Sequence, residues 1–472
     1  MKIIDRRFFI KSAAAISTTH IAKTLADTFT QISPSTLFDH KSVMNLIAPK
    51  MATVRIGFIG LGERGLSHVK HCSHIDGIEI KALCDIDQNA MNQASQYLEQ
   101  QKITRPDEYS GSELAYKDML TRSDIDIVII STPTRWHTPM AVDTMNSNKH
   151  AFVEVPAATS IDECWLLVDT SERTQKNCMM MESVCYGQDE LMVLQMVKQG
   201  LFGELKHAET TSNKEIPEQV TQEANNTGSS HKKIPEHLYP THGLGPISQY
   251  MNINRGDQFD FLTAAHSTPV KRTEDTQNQS QPVRSDFNTT VITTKLGRTI
   301  SVKHGTKTQK PNIEHTFIQG TNGTFSGSPS RITLEKLPDT VKHYYQNIHQ
   351  LAVKKWQENG QTGKKPEMPS QHQWDDNMAY WQTQYQHPFW QHIGAEATQN
   401  DEQHDKDFLM LWRIIFCLRN GQALDQNVYD AAALSVVSPL IDELVFNKSN
   451  HKDIPDFTRG LWKNTVPLSI VS

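Results

Sequence analysis

The chain has 472 residues, 37% of them hydrophobic and 21% charged, with a formal net charge of −6. At roughly 100–200 residues per domain this length predicts two or three domains with an ample core, and the modest apolar share predicts long polar loops. The acidic balance gives no footprint for nucleic acid, no run of about 18 apolar residues can span a membrane, and the 6 cysteines lack a CxxC pair, so buried thiols are expected instead of a disulfide framework or zinc ribbon.

At the start, Asp5-Arg6-Arg7-Phe8-Phe9-Ile10-Lys11 precedes a mildly apolar stretch from Ser12 to Ile21. Paired arginines before such a stretch resemble a twin-arginine export signal, with an ordinary basic arm as the alternative. On the first reading, residues 1–26 are the signal that meets the twin-arginine export machinery, and the protein is periplasmic or secreted. Residues 27–52 then form a linker, and the folded domain is expected to begin at Thr53.

Val54 to Ile59 reads as a strand, followed at once by Gly60-Leu61-Gly62-Glu63-Arg64-Gly65 and a helical stretch through His74. GxGxxG between strand and helix is the setting that dinucleotide binding requires. Its glycines serve a tight turn, close approach of backbone to pyrophosphate and close helix–strand packing. A second strand, Ile78 to Cys84, ends in Asp85, about twenty residues past Gly65, where an acid can accept both ribose hydroxyls. An acid there repels a 2′-phosphate, so NAD is favoured over NADP. Asp126 to Ser131 is nearly all apolar, as a strand buried on both faces should be. It leads into Thr132-Pro133-Thr134-Arg135-Trp136-His137, a loop at the carboxyl edge where such sheets bind ligands. A further strand, Ala151 to Val155, ends in Glu154-Val155-Pro156. Residues 53–156 are therefore expected to be a Rossmann domain with a doubly wound parallel sheet.

After Pro156 the strand–helix rhythm gives way. Helices are expected at 160–175, 189–199, 243–251, 405–419 and 428–446, the last two packing back on the body. Hairpins turn at Leu296-Gly297 and Asn322-Gly323, and polar loops are expected at 210–236 and 270–286. Residues 339–400, rich in Gln, His and Trp, carry no clear pattern. Residues 157–472 thus read as an α+β substrate domain with an open-faced, largely antiparallel sheet.

The glycine turn, the Glu-x-Pro strand end and the open second sheet resemble the Gfo/Idh/MocA oxidoreductase superfamily. Within it, several strings are similar to glycoside hydrolase family 109, the NAD-dependent α-N-acetylgalactosaminidases. They include Glu154-Val155-Pro156-Ala157-Ala158, Cys185-Tyr186-Gly187, Tyr239-Pro240-Thr241-His242-Gly243-Leu244-Gly245-Pro246, and Asp453-Ile454-Pro455-Asp456-Phe457-Thr458-Arg459-Gly460.

The resemblance implies a redox-neutral glycosidase, an exception to the two-carboxylate scheme. A sugar hydroxyl at C3 gives a hydride to NAD, the C2 proton is then removed, the C1 substituent is eliminated, water adds, and the hydride returns. It implies cofactor contacts from Gly60, Gly62, Glu63, Arg64 and Gly65, from Asp85, from Thr134, Arg135, Trp136 and His137, and from Glu154, Val155 and Ser183. Tyr239 and His242 would close over the nicotinamide, with His242 the first choice for acid–base work and Tyr239 a relay. The partner is a small-molecule glycoside, and a homo-oligomer is left open.

Val155 occupies the position where many superfamily dehydrogenases place a proton-accepting lysine, which argues against a net sugar oxidoreductase. On the substrate side the family's tyrosines and arginine are replaced, the nearest residues being Ser212, Thr227, Asn312 and Ser328. That makes N-acetylgalactosamine an inherited substrate assignment and leaves two alternatives, a sugar oxidoreductase and a catalytically degenerate NAD- or sugar-binding protein.

Overall fold

The structure is a computed structural model that describes residues 41–213, 240–266, 287–305, 313–367, 373–400, 405–447, 449–467 and 470. Its first sheet is built from short apolar strands: β1 Val54–Ile59, β2 Ile78–Cys84, β3 Asp107–Tyr109, β4 Ile127–Ile130, β5 His150–Val153 and β6 Cys178–Met180. They lie in the order β3-β2-β1-β4-β5-β6, and every neighbouring pair is parallel. Each of the four residues of β4 and of β5 is buried, as helices on both faces demand. The order reverses between β1 and β4, which opens the ligand crevice at the carboxyl ends of those strands.

Crossover helices start where side chains can satisfy free N–H groups. Asp87 accepts from Asn89 N at 2.8 Å ahead of helix Gln88–Gln100, and Ser160 accepts from Glu163 N at 3.2 Å ahead of helix Ile161–Thr174. The parallel sheet runs past the expected end at Pro156, because helix Ile161–Thr174 feeds the three-residue strand β6. So short an apolar run, Cys178-Met179-Met180, carries no readable period in the sequence.

The second sheet has eight strands in the order β13-β12-β11-β7-β10-β9-β8-β14. These are β7 Leu205–Asn213, β8 Phe259–His266, β9 Phe287–Thr294, β10 Thr299–Gly305, β11 Ile313–Gly320, β12 Gly323–Gly327, β13 Ser330–Leu334 and β14 His451–Asp453. Only β7 and β10 pair in parallel. Ile300 and Val302 are the most deeply buried residues of β10, two apart as side chains on one face of a strand are, with Thr299 and Lys303 half-buried beside them. Both expected hairpins are present, joining β9 to β10 and β11 to β12. Helix Thr241–Tyr250 packs on β7 and β11. Gly243 permits this, since a Cβ there would lie 1.7 Å from Thr210 Oγ1.

Three expectations are corrected. Residues 41–52 are not a free tether: Val43, Met44 and Ala48 are buried, Val43 N donates to Tyr429 Oη at 3.3 Å, and Asn427 Nδ2 donates to the Met44 carbonyl at 2.9 Å. The patternless 339–400 region holds three helices, Asp339–Glu358, Met378–Tyr385 and Pro388–Asn400. The expected helix at 428–446 is two, Val428–Ser435 and Val437–Asn447. Pro439 cannot donate to the Ser435 carbonyl, so the chain restarts with Pro439 in a new first turn, where a missing N–H costs nothing. The two expected loops fall mostly outside the described residues, apart from the end of β7. All six cysteines are free and buried, and no helix among the described residues is long and apolar enough to cross a membrane.

Candidate active site at the carboxyl edge of the parallel sheet

The glycine turn divides into structural and ligand-facing positions. Gly60 has φ +85°, and a Cβ on it would come within 2.7 Å of the Ser131 backbone; one on Gly65 would come within 1.9 Å of the Gly60 carbonyl oxygen. Both glycines are therefore demanded by the fold itself. Gly62 is different, because a Cβ there would meet nothing within 4 Å. It is the N-cap of helix Glu63–Cys72, and no side chain caps that first turn. An open cradle at a helix N-terminus fits the pyrophosphate of a dinucleotide. Glu63 is exposed on the first turn.

Asp85 follows β2. Its carboxylate accepts Leu61 N at 2.5 Å and Asp87 N at 2.7 Å, which fixes it beside the glycine turn with part of its surface open. This suits the adenosine ribose. The loop after β4 forms a short 3-10 turn, Thr134–Trp136, in which Thr134 and Trp136 are half-buried and Arg135 is exposed. His137 is buried, and its ring nitrogens face the Pro156 carbonyl at 2.7 Å and the Thr132 carbonyl at 2.6 Å. Its ring thus ties the two crevice loops together and is committed to them.

Glu154, just past β5, anchors a buried charge network that sequence reasoning missed. Its Oε1 lies 2.6 Å from Arg64 Nε and 2.6 Å from His68 Nε2. The other guanidinium nitrogens of Arg64 grip Asp407, with Nη2 to Oδ1 at 2.7 Å and a second bond from Nη1 to Oδ2. Burial alone would push the Glu154 carboxyl up, but the His68 hydrogen bond and the Arg64 charge outweigh it and hold the group at about 2. Asp407 is likewise held well below the usual carboxylate range: burial opposes, and the bonds from Arg64 and Ser183 prevail. Arg64 is thus a structural post between the glycine turn, β5 and helix Asp405–Asn420, and Ser183 supports the same network from the turn after β6. Val155 is half-buried and carries no titratable group.

His242 opens helix Thr241–Tyr250, and its Nδ1 lies 2.8 Å from Oε1 of Glu182. Glu182 sits two residues past β6, with its side chain fully buried against a one-third exposed imidazole. Val184 N donates to the same oxygen at 3.3 Å, and Glu182 Oε2 has no partner among the described residues. Gly245 makes the approach possible, since a Cβ there would lie 2.7 Å from Glu182 Cγ. The Thr-His-Gly-Leu-Gly string therefore threads a helix between β7 on one side and Glu182 on the other. Tyr239 lies outside the described residues, as do Thr227 and Asn312. Ser212 is placed on β7 opposite His304 and Glu314, and Ser328 is exposed in the turn between β12 and β13.

Strand order, the glycine cradle and Asp85 define a dinucleotide-binding oxidoreductase-type fold. The family profile described as "Oxidoreductase family, NAD-binding Rossmann fold" matches residues 54–182, and "Glycosyl hydrolase 109, C-terminal domain" matches residues 186–464. A "Glycosyl hydrolase family 109 protein" of Shewanella pealeana is 48% identical over 99% of each chain. An "Alpha-N-acetylgalactosaminidase" of Shewanella oneidensis is 47% identical over 100% of each. Scyllo-inositol dehydrogenase from Lactobacillus casei, solved with bound NAD(H) and scyllo-inositol, shares the fold with a TM-score of 0.56 at 15% identity, covering 85% of this chain and 99% of its own. The chain belongs to glycosyl hydrolase family 109, and its residues 54–182 are an NAD-binding Rossmann domain.

Proposed function

We propose that the protein hydrolyses α-N-acetylgalactosaminides by a redox-neutral route with NAD. The observation that carries this is the His242–Glu182 pair standing beside a Glu154-Val155 strand end that has no proton to exchange. Bound NAD supplies a hydride acceptor that is restored within the same turnover, as the exceptional NAD-dependent glycosidases require.

The chain's own residues would do the rest. The Gly60–Gly65 turn would hold the pyrophosphate, Asp85 the adenosine ribose, and the Thr134–Trp136 turn the nicotinamide ribose. Glu154, locked by Arg64 and His68, stays charged at all working pH values and serves as a fixed anion. His242, with Nδ1 donating to Glu182, would move protons through Nε2, because a buried carboxylate behind an imidazole fixes the tautomer and steadies the imidazolium. Val155 cannot act as the base that a net sugar dehydrogenase needs at that position. The arginine pair near the start supports export by the twin-arginine route as part of the same proposal.

Incubation of the NAD-loaded protein with a panel of nitrophenyl glycosides tests the reading. Release from the α-N-acetylgalactosaminide without accumulation of NADH is expected. Release from no sugar overturns it, and steady NADH production with an oxidised sugar assigns a net oxidoreductase instead.

A further inference from the structure

The parallel sheet has a second cavity, at its amino edge, the end opposite the nucleotide crevice. It holds about 680 Å³ and is lined by Arg55 at the start of β1, Asp126 just before β4, Lys149 and His150 at the start of β5, and Lys176 just before β6. Lys50 and Arg122 complete its charged wall, giving five cationic side chains against the single carboxylate Asp126. In a chain of net charge −6 this is a local inversion of sign.

The two arginines are already satisfied. Arg55 takes Asp126 in a fork at 2.9 and 2.6 Å, and Arg122 bonds Asp124 at 2.8 and 2.7 Å and pairs with Asp107. Of the lysines, Lys50 is exposed, Lys176 half-buried and Lys149 buried. Lys149 is only 4% exposed, yet its Nζ meets just the Ser147 carbonyl at 3.1 Å. Neither Lys149, Lys176 nor Lys50 has a carboxylate within ion-pair distance among the described residues. A buried ammonium without a counter-charge is costly, so such a group is normally paired or neutralised. Burial lowers the pKa of Lys149 against the charges of Asp124 and Asp126, and lowers that of Lys176 against Asp126, while His150 is pushed down to about 4 by burial and then by Lys176.

We propose that this amino-edge cavity binds a small soluble molecule bearing a phosphate ester or pyrophosphate group, held by Lys149, Lys176 and Lys50. Lysine is a compact point charge well suited to phosphate oxygens, and the volume lies within the range of small-molecule sites. Lys50, Lys149 and Lys176 come from three separate segments and line the same cavity.

Titration calorimetry of inorganic pyrophosphate into the full chain already saturated with NAD separates this site from the nucleotide crevice. One saturable site per chain is expected, weakened at least about tenfold in Lys149→Gln and in Lys176→Gln, with NAD binding unchanged. The Lys149→Met variant keeps the fold testable: it should melt at a higher temperature than the parent without ligand and no longer respond to pyrophosphate. Glycerol phosphate should bind at the same lysines, and vesicles containing phosphatidic acid should not. Absence of saturable binding, equal binding in both glutamine variants, or binding to the vesicles alone would each overturn the assignment.

Discussion

Replacing Glu182 by glutamine keeps the size and shape of a fully buried side chain while removing its charge. The bond at stake joins Glu182 Oε1 to His242 Nδ1 at 2.8 Å. A hydrogen bond to a charged group contributes about 1.5–3 kcal/mol, and each 1.4 kcal/mol is a factor of ten in rate, so kcat should fall by about 10- to 150-fold. The loss grows if the imidazole is protonated during turnover, because the imidazolium then also loses its counter-charge; replacing the carboxylate of a catalytic triad by an amide costs about 10⁴. KM for the nitrophenyl α-N-acetylgalactosaminide should stay within a few-fold, since Glu182 is out of reach of a ligand. NAD retained after gel filtration should match the parent, because Glu182 is remote from the glycine turn. Steady-state kinetics with measured NAD content provides the test. A variant with full NAD occupancy and kcat within twofold of the parent would refute the role assigned to the pair.

Gly62→Ala should leave the melting temperature of the NAD-free protein within about 1 °C, since its Cβ meets open space, yet weaken NAD binding in calorimetry; Gly65→Ala, with a Cβ 1.9 Å from the Gly60 carbonyl oxygen, should lower the melting temperature sharply. Glu154 has its folded pKa depressed from 4.5 to about 2, so its stabilisation is complete above about pH 4.5 and disappears as pH falls toward 2, a change of about 3 kcal/mol. Acid unfolding followed by circular dichroism should therefore be less steep across that window in Glu154→Gln than in the parent. Arg413→Met strands Asp425, whose Oδ2 and Oδ1 it holds at 2.9 and 3.0 Å in a buried pair, and should cost about 3–5 kcal/mol in urea unfolding.

The parts of the site that are legible in the sequence are those made by neighbours along the chain. Gly60 to Gly65 and Asp85 announce themselves because a strand, a turn, a helix and a second strand end follow one another directly between Val54 and Asp85. The Thr241–Tyr250 helix was equally readable, although the reason for its two glycines, contact with Thr210 on one side and Glu182 on the other, is visible only in three dimensions. Asp407 reaches Arg64 across 343 positions and His68 is one of 21 histidines, so no local pattern marks either. Glu182 was within reach of inference, standing just past a strand, but that strand is three residues long and lies beyond the expected end of the nucleotide domain. Residues 41–52 look like a tether because their composition is mixed; Tyr429 and Asn427, nearly four hundred residues away, make them part of the core. On the substrate side, the resemblance expects tyrosines and an arginine near Ser212, Thr227, Asn312 and Ser328, so specificity is where local likeness says least.

In the proposed reaction Val155 stands where a base would be, the His242–Glu182 pair moves protons, and hydrolysis passes through loss of the C2 proton. Hydrolysis of the nitrophenyl α-N-acetylgalactosaminide in deuterated water, followed by mass and proton spectra of the released sugar, measures that step directly. Deuterium at C2 of the product, dependence on bound NAD and no net NADH are expected. Release of sugar that keeps its C2 proton, or release undiminished after NAD is stripped, would contradict it.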